Sequence, residues 1–143
     1  MGRWLALHAA LLGLAVAILQ PALSGPFLSD DHLYVNHPYT GELSLANLAA
    51  TLDPLGPAKL HTANYEPVHL LLHALGRQIF ADATRGYHWL NVWVHALVAT
   101  LLVALWTRSG IALLPALLGA AFFAVHPANV EAVAWISQLK TTG

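Results

Sequence analysis

An all-α fold that crosses a membrane several times is what this sequence predicts, and three observations carry that reading. The chain is 57% hydrophobic and only 9% charged, with a mean hydropathy of +0.60. A soluble domain of that composition would have no polar coat. Three stretches, residues 4–23, 88–106 and 109–126, are apolar and uncharged or nearly so. Each approaches the roughly 20 helical residues that a bilayer core of about 30 Å requires. Trp4, Trp89, Trp106 and Trp135 fall near the ends of these stretches, where an amphipathic ring prefers the headgroup layer.

Three transmembrane helices then follow in order, with a long loop over residues 24–87 between the first two. The tight turn Thr107-Arg108-Ser109-Gly110 joins the second to the third. Arg3 and Arg108 mark the side expected to be cytoplasmic, so the long loop is expected to face outward. The first stretch also reads as a cleaved secretory signal, since Arg3 gives a positive start and Ala22-Leu23-Ser24 a small-residue site. On the third span Ala112, Ala116, Ala120 and Ala124 recur beside Gly119. A ridge of such small residues predicts close approach of a neighbouring helix.

The loop carries helices of its own. Ser44 is placed to cap a short one bearing Leu45, Leu48 and Leu52, which ends before Asp53-Pro54. Pro67 begins a longer one, whose apolar stripe is Val68, Leu71, Leu72, Leu75 and Ile79. His69, His73 and Arg77 occupy its other face. That pattern predicts a helix lying along the membrane interface, apolar side down and histidine side wet.

Composition also excludes some functions. A net charge of −1, from six basic and seven acidic side chains, provides no basic field for a phosphate backbone, so nucleic acid is not an expected partner. The absence of cysteine excludes disulfides and thiolate metal sites. There is no glycine-rich phosphate loop, nucleophile elbow or HExxH motif.

Polar side chains gather at one predicted end of the membrane region: Asp30, Asp31 and His32 after the first span, His88, Asn91 and His95 in the second, and His126, Asn129 and Glu131 leaving the third. Adjacent carboxylates repel, and such a pair suits an acid–base or cation-binding task. It could equally be a solvated loop start. His88, Asn91 and His95 lie on one helix face that should point into the bundle, for substrate contact or for interhelical hydrogen bonding alone. Glu66, His69 and His73 share the spacing i, i+3, i+7, which can hold a divalent ion but more often forms a wet polar face.

Four blocks follow one another in a familiar order: Phe27-Leu28-Ser29-Asp30-Asp31-His32-Leu33-Tyr34-Val35, then Tyr65-Glu66-Pro67, then Gly86-Tyr87-His88-Trp89-Leu90-Asn91 with His95, and finally residues 123–136 around His126-Pro127-Ala128-Asn129-Val130-Glu131. In these blocks the chain resembles the amino-terminal part of the GT-C membrane glycosyltransferases that carry tetratricopeptide repeats, the TMTC-type O-mannosyltransferases and their bacterial relatives. The resemblance implies a GT-C-like enzyme that takes a sugar from a polyprenyl-phosphate carrier and passes it, with inversion, to a hydroxyl on the extracytoplasmic side, usually on protein. It implies Asp30 as catalytic base with Asp31 assisting. It further implies substrate or carrier contacts at His88, Asn91, His126 and Glu131, and a carrier-phosphate contact at Lys140. Glu66 stands where relatives usually show a basic residue.

On this reading residues 1–143 are an amino-terminal fragment whose parent continues through further spans and repeats. The parent is expected to be the enzyme, in a bacterial inner membrane or the endoplasmic reticulum membrane, with the isolated fragment inactive. Its expected partners are the bilayer, the lipid-linked sugar, a protein acceptor and the missing spans and repeats; the polyprenyl-phosphate sugar is the donor, and a divalent metal at Glu66, His69 and His73 stays open as a cofactor. Two other readings compete: a non-enzymatic membrane module or truncated remnant whose polar residues only bind helices together, and a small transporter using the His88, Asn91 and His95 face. The transporter needs a polar path that the inner halves of the spans do not offer.

Overall fold

The computed structural model describes residues 2–142, and among them no residue is in a strand. The chain is 77% helical, as the all-α expectation requires. Helix α1 (Gly2–Leu19) is extended by a 3₁₀ turn (Gln20–Ser24), where Pro21 removes one backbone donor. The four short or medium helices α2 (Asp31–Val35), α3 (Leu45–Leu52), α4 (Pro57–Thr62) and α5 (Pro67–Phe80) build the loop. They are followed by α6 (Thr84–Arg108), α7 (Leu113–Val125), α8 (Val130–Ala134) and α9 (Leu139–Thr142).

Among the described residues two helical segments are long and apolar enough to cross a membrane, Gly2–Ser24 and Thr84–Arg108. At 1.5 Å per residue, α6 reaches about 37 Å, enough to cross a bilayer core of about 30 Å. The third span differs from expectation. Instead of one helix over residues 109–126, α7 covers 13 residues, about 20 Å, and the chain then bends by 50° into Pro127–Ala134. The cause lies in two prolines. Pro127 disfavours helical backbone at His126, whose ψ is 129°, and Pro115 confines the helix start to its own first turn. Only if α7 and the bent segment count together does the chain hold three spans. The turn before α7 needs Gly110, which sits at φ +87°.

Helices α1 and α6 run antiparallel. His8 Nδ1 lies 3.2 Å from Thr100 Oγ1, and one bundle end away His88 Nε2 lies 3.2 Å from the Gly25 carbonyl. The interior is made of small residues: Ala15, Ala96, Ala99, Ala116, Ala120 and Ala124 are all buried. Between helices surrounded by lipid, burial from water provides no attraction, and association depends on close van der Waals packing of this kind. The alanine ridge of α7 is therefore a packing face, beginning at Ala116 because Ala112 precedes the helix. Gly119 belongs to it for a steric reason: a Cβ there would stand 2.8 Å from Trp106 Cζ3.

The loop helices fold over one end of the bundle. Ser44 caps α3, its Oγ accepting from the Asn47 amide at 3.1 Å, and Pro67 opens α5 as its first helical residue. Tyr34, Ala58 and Leu70 form one small core there; Val35, Tyr87 and Ile136 form another, with Phe27 and Phe80 against it. On α5 one part of the sequence expectation is corrected, the wet histidine face. His69 and His73 are buried against Tyr34, whereas Val68, Leu75 and Ile79 are exposed. Its histidine side faces protein rather than water, and its apolar side faces out.

Replacing Gly119 by leucine should loosen α6 against α7 and destabilise the chain by about 1–3 kcal/mol, the usual cost of overpacking. Gly13→Ala, where a Cβ meets nothing within 4 Å, should not destabilise. Thermal unfolding of the two variants in the same detergent checks the contrast.

Candidate functional site

The acidic pair is divided in two by the fold. Asp31 is 1% exposed. Its Oδ2 accepts from the Leu28 amide at 2.8 Å and its Oδ1 from the Ser137 amide at 2.7 Å. A buried carboxylate held by two backbone donors is a strong local anchor, and this one joins segments 106 residues apart in sequence. Asp30, one residue earlier, is exposed. Ser29 before it adopts φ +42°, a left-handed backbone uncommon for a residue with a Cβ, and its Oγ donates to Asp30 Oδ1 at 3.1 Å. Asp31 ties its segment in place, and Asp30 presents its carboxylate to the surroundings.

Other bonds hold the facing segment. Trp135 Nε1 donates to the Leu28 carbonyl at 3.4 Å. Asn91 Nδ2 donates to the carbonyls of Val133 and Trp135 at 3.3 and 3.0 Å. Residues 133–137 are thus tied on one side to α6 and on the other to the loop that carries Asp30.

Beyond Ser137 lies a second polar cluster. Tyr34 donates its hydroxyl hydrogen to Glu66 Oε1 at 2.8 Å, and Lys140 Nζ donates to the Tyr34 oxygen at 3.0 Å while pairing with Glu66 Oε2 at 3.4 Å. Lys140 Nζ also lies 5.2 Å from the centre of the Tyr34 ring. Partial burial works against the Lys140 charge, but the Tyr34 hydroxyl and the Glu66 carboxylate outweigh it and raise its pKa above the ordinary value. A pocket of about 510 Å³ opens here between α5 and α9, lined by Glu66, Pro67, Val68, His69, Leu72, Leu139 and Lys140.

At the back of that pocket the histidine rings meet edge to face. The His69 and His73 rings are 4.5 Å apart, and each contacts Tyr34, at 4.5 and 5.5 Å. Neither nitrogen of either ring has a hydrogen-bond partner. Burial lowers the pKa of His69 to about 4, helped by the Lys140 charge. It lowers that of His73 to about 3, helped by His69, His37 and Lys140. Both rings are neutral at pH 7. Among the described residues no group of three or more His, Cys, Asp or Glu side chains is arranged to hold a metal ion. Glu66 is engaged by Tyr34 and Lys140 instead of turning to the histidines.

The remaining candidates are placed as follows. His88 is buried against the Gly25 carbonyl and Asn91 against the carbonyls already named. His95 meets the Ala124 carbonyl at 3.2 Å. His126 closes the bend after α7, its Nδ1 accepting from the Ala128 amide at 3.2 Å, and Asn129 Nδ2 donates to the Phe123 carbonyl at 2.8 Å. Glu131 is exposed in the first turn of α8. All but His95, which sits midway along α6, lie at the bundle end that carries the loop, but no hydrogen bond or ion pair among the described residues joins Asp30 to His126 or Glu131. Ser137 and Tyr34 were not singled out by sequence. Ser137 acts through its backbone amide and leaves no signal; Tyr34 sits inside the first quoted block, and only its position there could have drawn attention.

Asp31→Asn keeps the shape but turns an amide donor toward a backbone donor, so it should cost about 1–3 kcal/mol. Hydrogen exchange at the Leu28 and Ser137 amides should quicken together. A second expectation concerns pH. Because the folded pKa values of His69 and His73 lie below the ordinary 6.5, the unfolded chain binds protons first on acidification. Stability present above pH 6.5 is therefore lost as pH falls toward 4 and 3. The melting temperature should drop from pH 7 to pH 4, and the drop should be smaller in His73→Phe.

Comparison with curated proteins finds a similar sequence in protein O-mannosyl-transferase Tmtc1 of Drosophila melanogaster, 36% identical over 130 residues. The match covers 85% of this chain, and the chain spans about 15% of that relative's length. No family model matches the chain, and no solved structure matches it. The match supports a TMTC-related family.

Proposed function

We propose that this chain is part of a membrane glycosyltransferase that transfers a sugar from a polyprenyl-phosphate carrier to a hydroxyl acceptor, on protein, at the extracytoplasmic face. The observation that carries the proposal is the division of labour in the acidic pair. A buried Asp31, fixed by two backbone amides, sets the direction of an exposed Asp30 whose carboxylate has no cation bound to it among the described residues. The similarity to an O-mannosyl-transferase supports the same reading.

In the proposed step Asp30 takes the proton from the acceptor hydroxyl as that oxygen bonds to the anomeric carbon. The bond from this carbon to the carrier phosphate breaks from the opposite face, and the carrier leaves as the phosphate, so the configuration inverts. The largely apolar pocket beside Lys140 suits part of an isoprenoid carrier, with Lys140 as a point charge for its phosphate once Glu66 yields. His126 and Glu131, at the bend after α7, would contact substrate from the same end. The parent protein's further spans and repeats would complete the site.

One observation favours a second reading, a membrane module without chemistry. His88, Asn91 and His95 each place a ring or amide nitrogen against a backbone carbonyl, as helix-joining residues do. Asp30→Asn in a full-length homologue separates the two. The glycosyltransferase reading expects sugar transfer to fall by about 10²–10⁴-fold, the usual contribution of a positioned base, with membrane insertion unchanged. Full activity would remove Asp30 as base.

A further inference from the structure

The end of the bundle opposite the acidic pair holds a groove that the proposed chemistry does not use. It has a volume of about 420 Å³ and is lined by Arg3, Trp4, Leu7, Val103, Thr107, Leu113 and Leu117, contributed by α1, α6 and α7. That volume lies in the usual range of about 300–1,000 Å³ for small-molecule sites. Its walls are leucine and valine, so an apolar chain is the natural filling. Its polar atoms give no competing reason for the space, because the Thr107 hydroxyl is already spent on the Val103 and Ala104 carbonyls at 2.7 and 3.2 Å.

Charge decides what kind of molecule brings that chain. Arg3 lines the groove and has no ion-pair or hydrogen-bond partner among the described residues. No aspartate or glutamate occurs anywhere in residues 1–29 or 83–130, which include every element packed around the groove. Arg108, at the same end, is also positive. A cationic rim with no acid near it, on an apolar slot at the end of membrane-length helices, matches an anionic phosphate above an acyl chain. Trp4, half-exposed beside Arg3, fits the headgroup level.

We infer that this groove binds one anionic phospholipid of the adjacent leaflet, its acyl chain between α1, α6 and α7 and its phosphate on Arg3. A zwitterionic phospholipid such as phosphatidylcholine would fill the same slot and also carries a phosphate, but its choline cation meets the same positive rim and offsets the attraction. One basic side chain near a membrane surface supports about a five-fold preference for the anionic lipid.

The test measures lipids retained by the intact chain, released from mixed phosphatidylglycerol and phosphatidylcholine bilayers into mild detergent, by native mass spectrometry. Wild type should keep phosphatidylglycerol about five-fold over phosphatidylcholine. Arg3→Gln should bring that ratio to about one and Arg3→Lys should largely preserve it, while Arg108→Gln, outside the groove, should leave it unchanged. Leu117→Trp should displace both lipids. Because Arg3 is exposed, Arg3→Gln is not expected to alter folding, and an unchanged melting temperature checks this. Equal retention of the two lipids by wild type, an unchanged ratio in Arg3→Gln, or an equal loss in Arg108→Gln would overturn the assignment. So would cross-linking of Leu117→Cys to a further helix of a longer parent chain rather than to lipid.

Discussion

One buried carboxylate holds this architecture's working end together. Asp31 satisfies two backbone amides, one three residues before it and one 106 residues after it. Carboxylates resist leaving water, and this one is stable there because both of its oxygens receive donors. The consequence reaches beyond its own loop. Residues 133–137 are caught between that carboxylate and Asn91 of α6, and Lys140, one turn further on, is thereby delivered to Tyr34 and Glu66. Release of Asp31 would leave the Trp135–Leu28 bond and the Lys140 contacts to Tyr34 and Glu66 to hold the last segment against the loop that carries Asp30.

The membrane part contributes a frame. Its helices approach closely because small side chains such as Ala99 and Ala124 pack together and others sit against leucine and valine, and Gly119 makes room for the Trp106 indole. The resulting bundle has two unlike ends. At one, Glu66, His69 and Lys140 border a largely apolar pocket among the loop helices; at the other, arginine and tryptophan border an acid-free groove. A bilayer favours such a division, since polar groups are costly within its core and tolerable at its edges. Buried histidines without partners are the exception. His69 and His73 remain neutral at a cost in desolvated nitrogen atoms, and they do so directly behind the pocket that Lys140 borders.

Much of the fold was legible because local rules decided it. Ser44 and Pro67 start their helices where capping chemistry says they should, and the alanine spacing on α7 announces its packing face. The broken third span was less legible: its hydropathy is continuous, and only the backbone limits of Pro115 and Pro127 interrupt it. The inward turn of α5 could not be read from amphipathicity, because that pattern assumes water on the polar side, whereas here Tyr34 and the rest of the loop core lie there. For the site, the sequence indicated Asp30 and Asp31 as a pair but not their separation, which depends on a backbone amide at Ser137. Lys140 entered only through the family resemblance, and Glu66 through its spacing to His69 and His73. Their pairing required knowing that α9 returns to α5.

The central claim is that the block containing Asp30 and the block running from His126 to Lys140 share one rim of the membrane region. The chain has no cysteine of its own, so single cysteines placed at Asp30, Glu131, Arg3 and Arg108 can be labelled in sealed vesicles with a membrane-impermeant thiol reagent. The account predicts that positions 30 and 131 react from one face and positions 3 and 108 from the other. Reaction of positions 30 and 131 from opposite faces would contradict it.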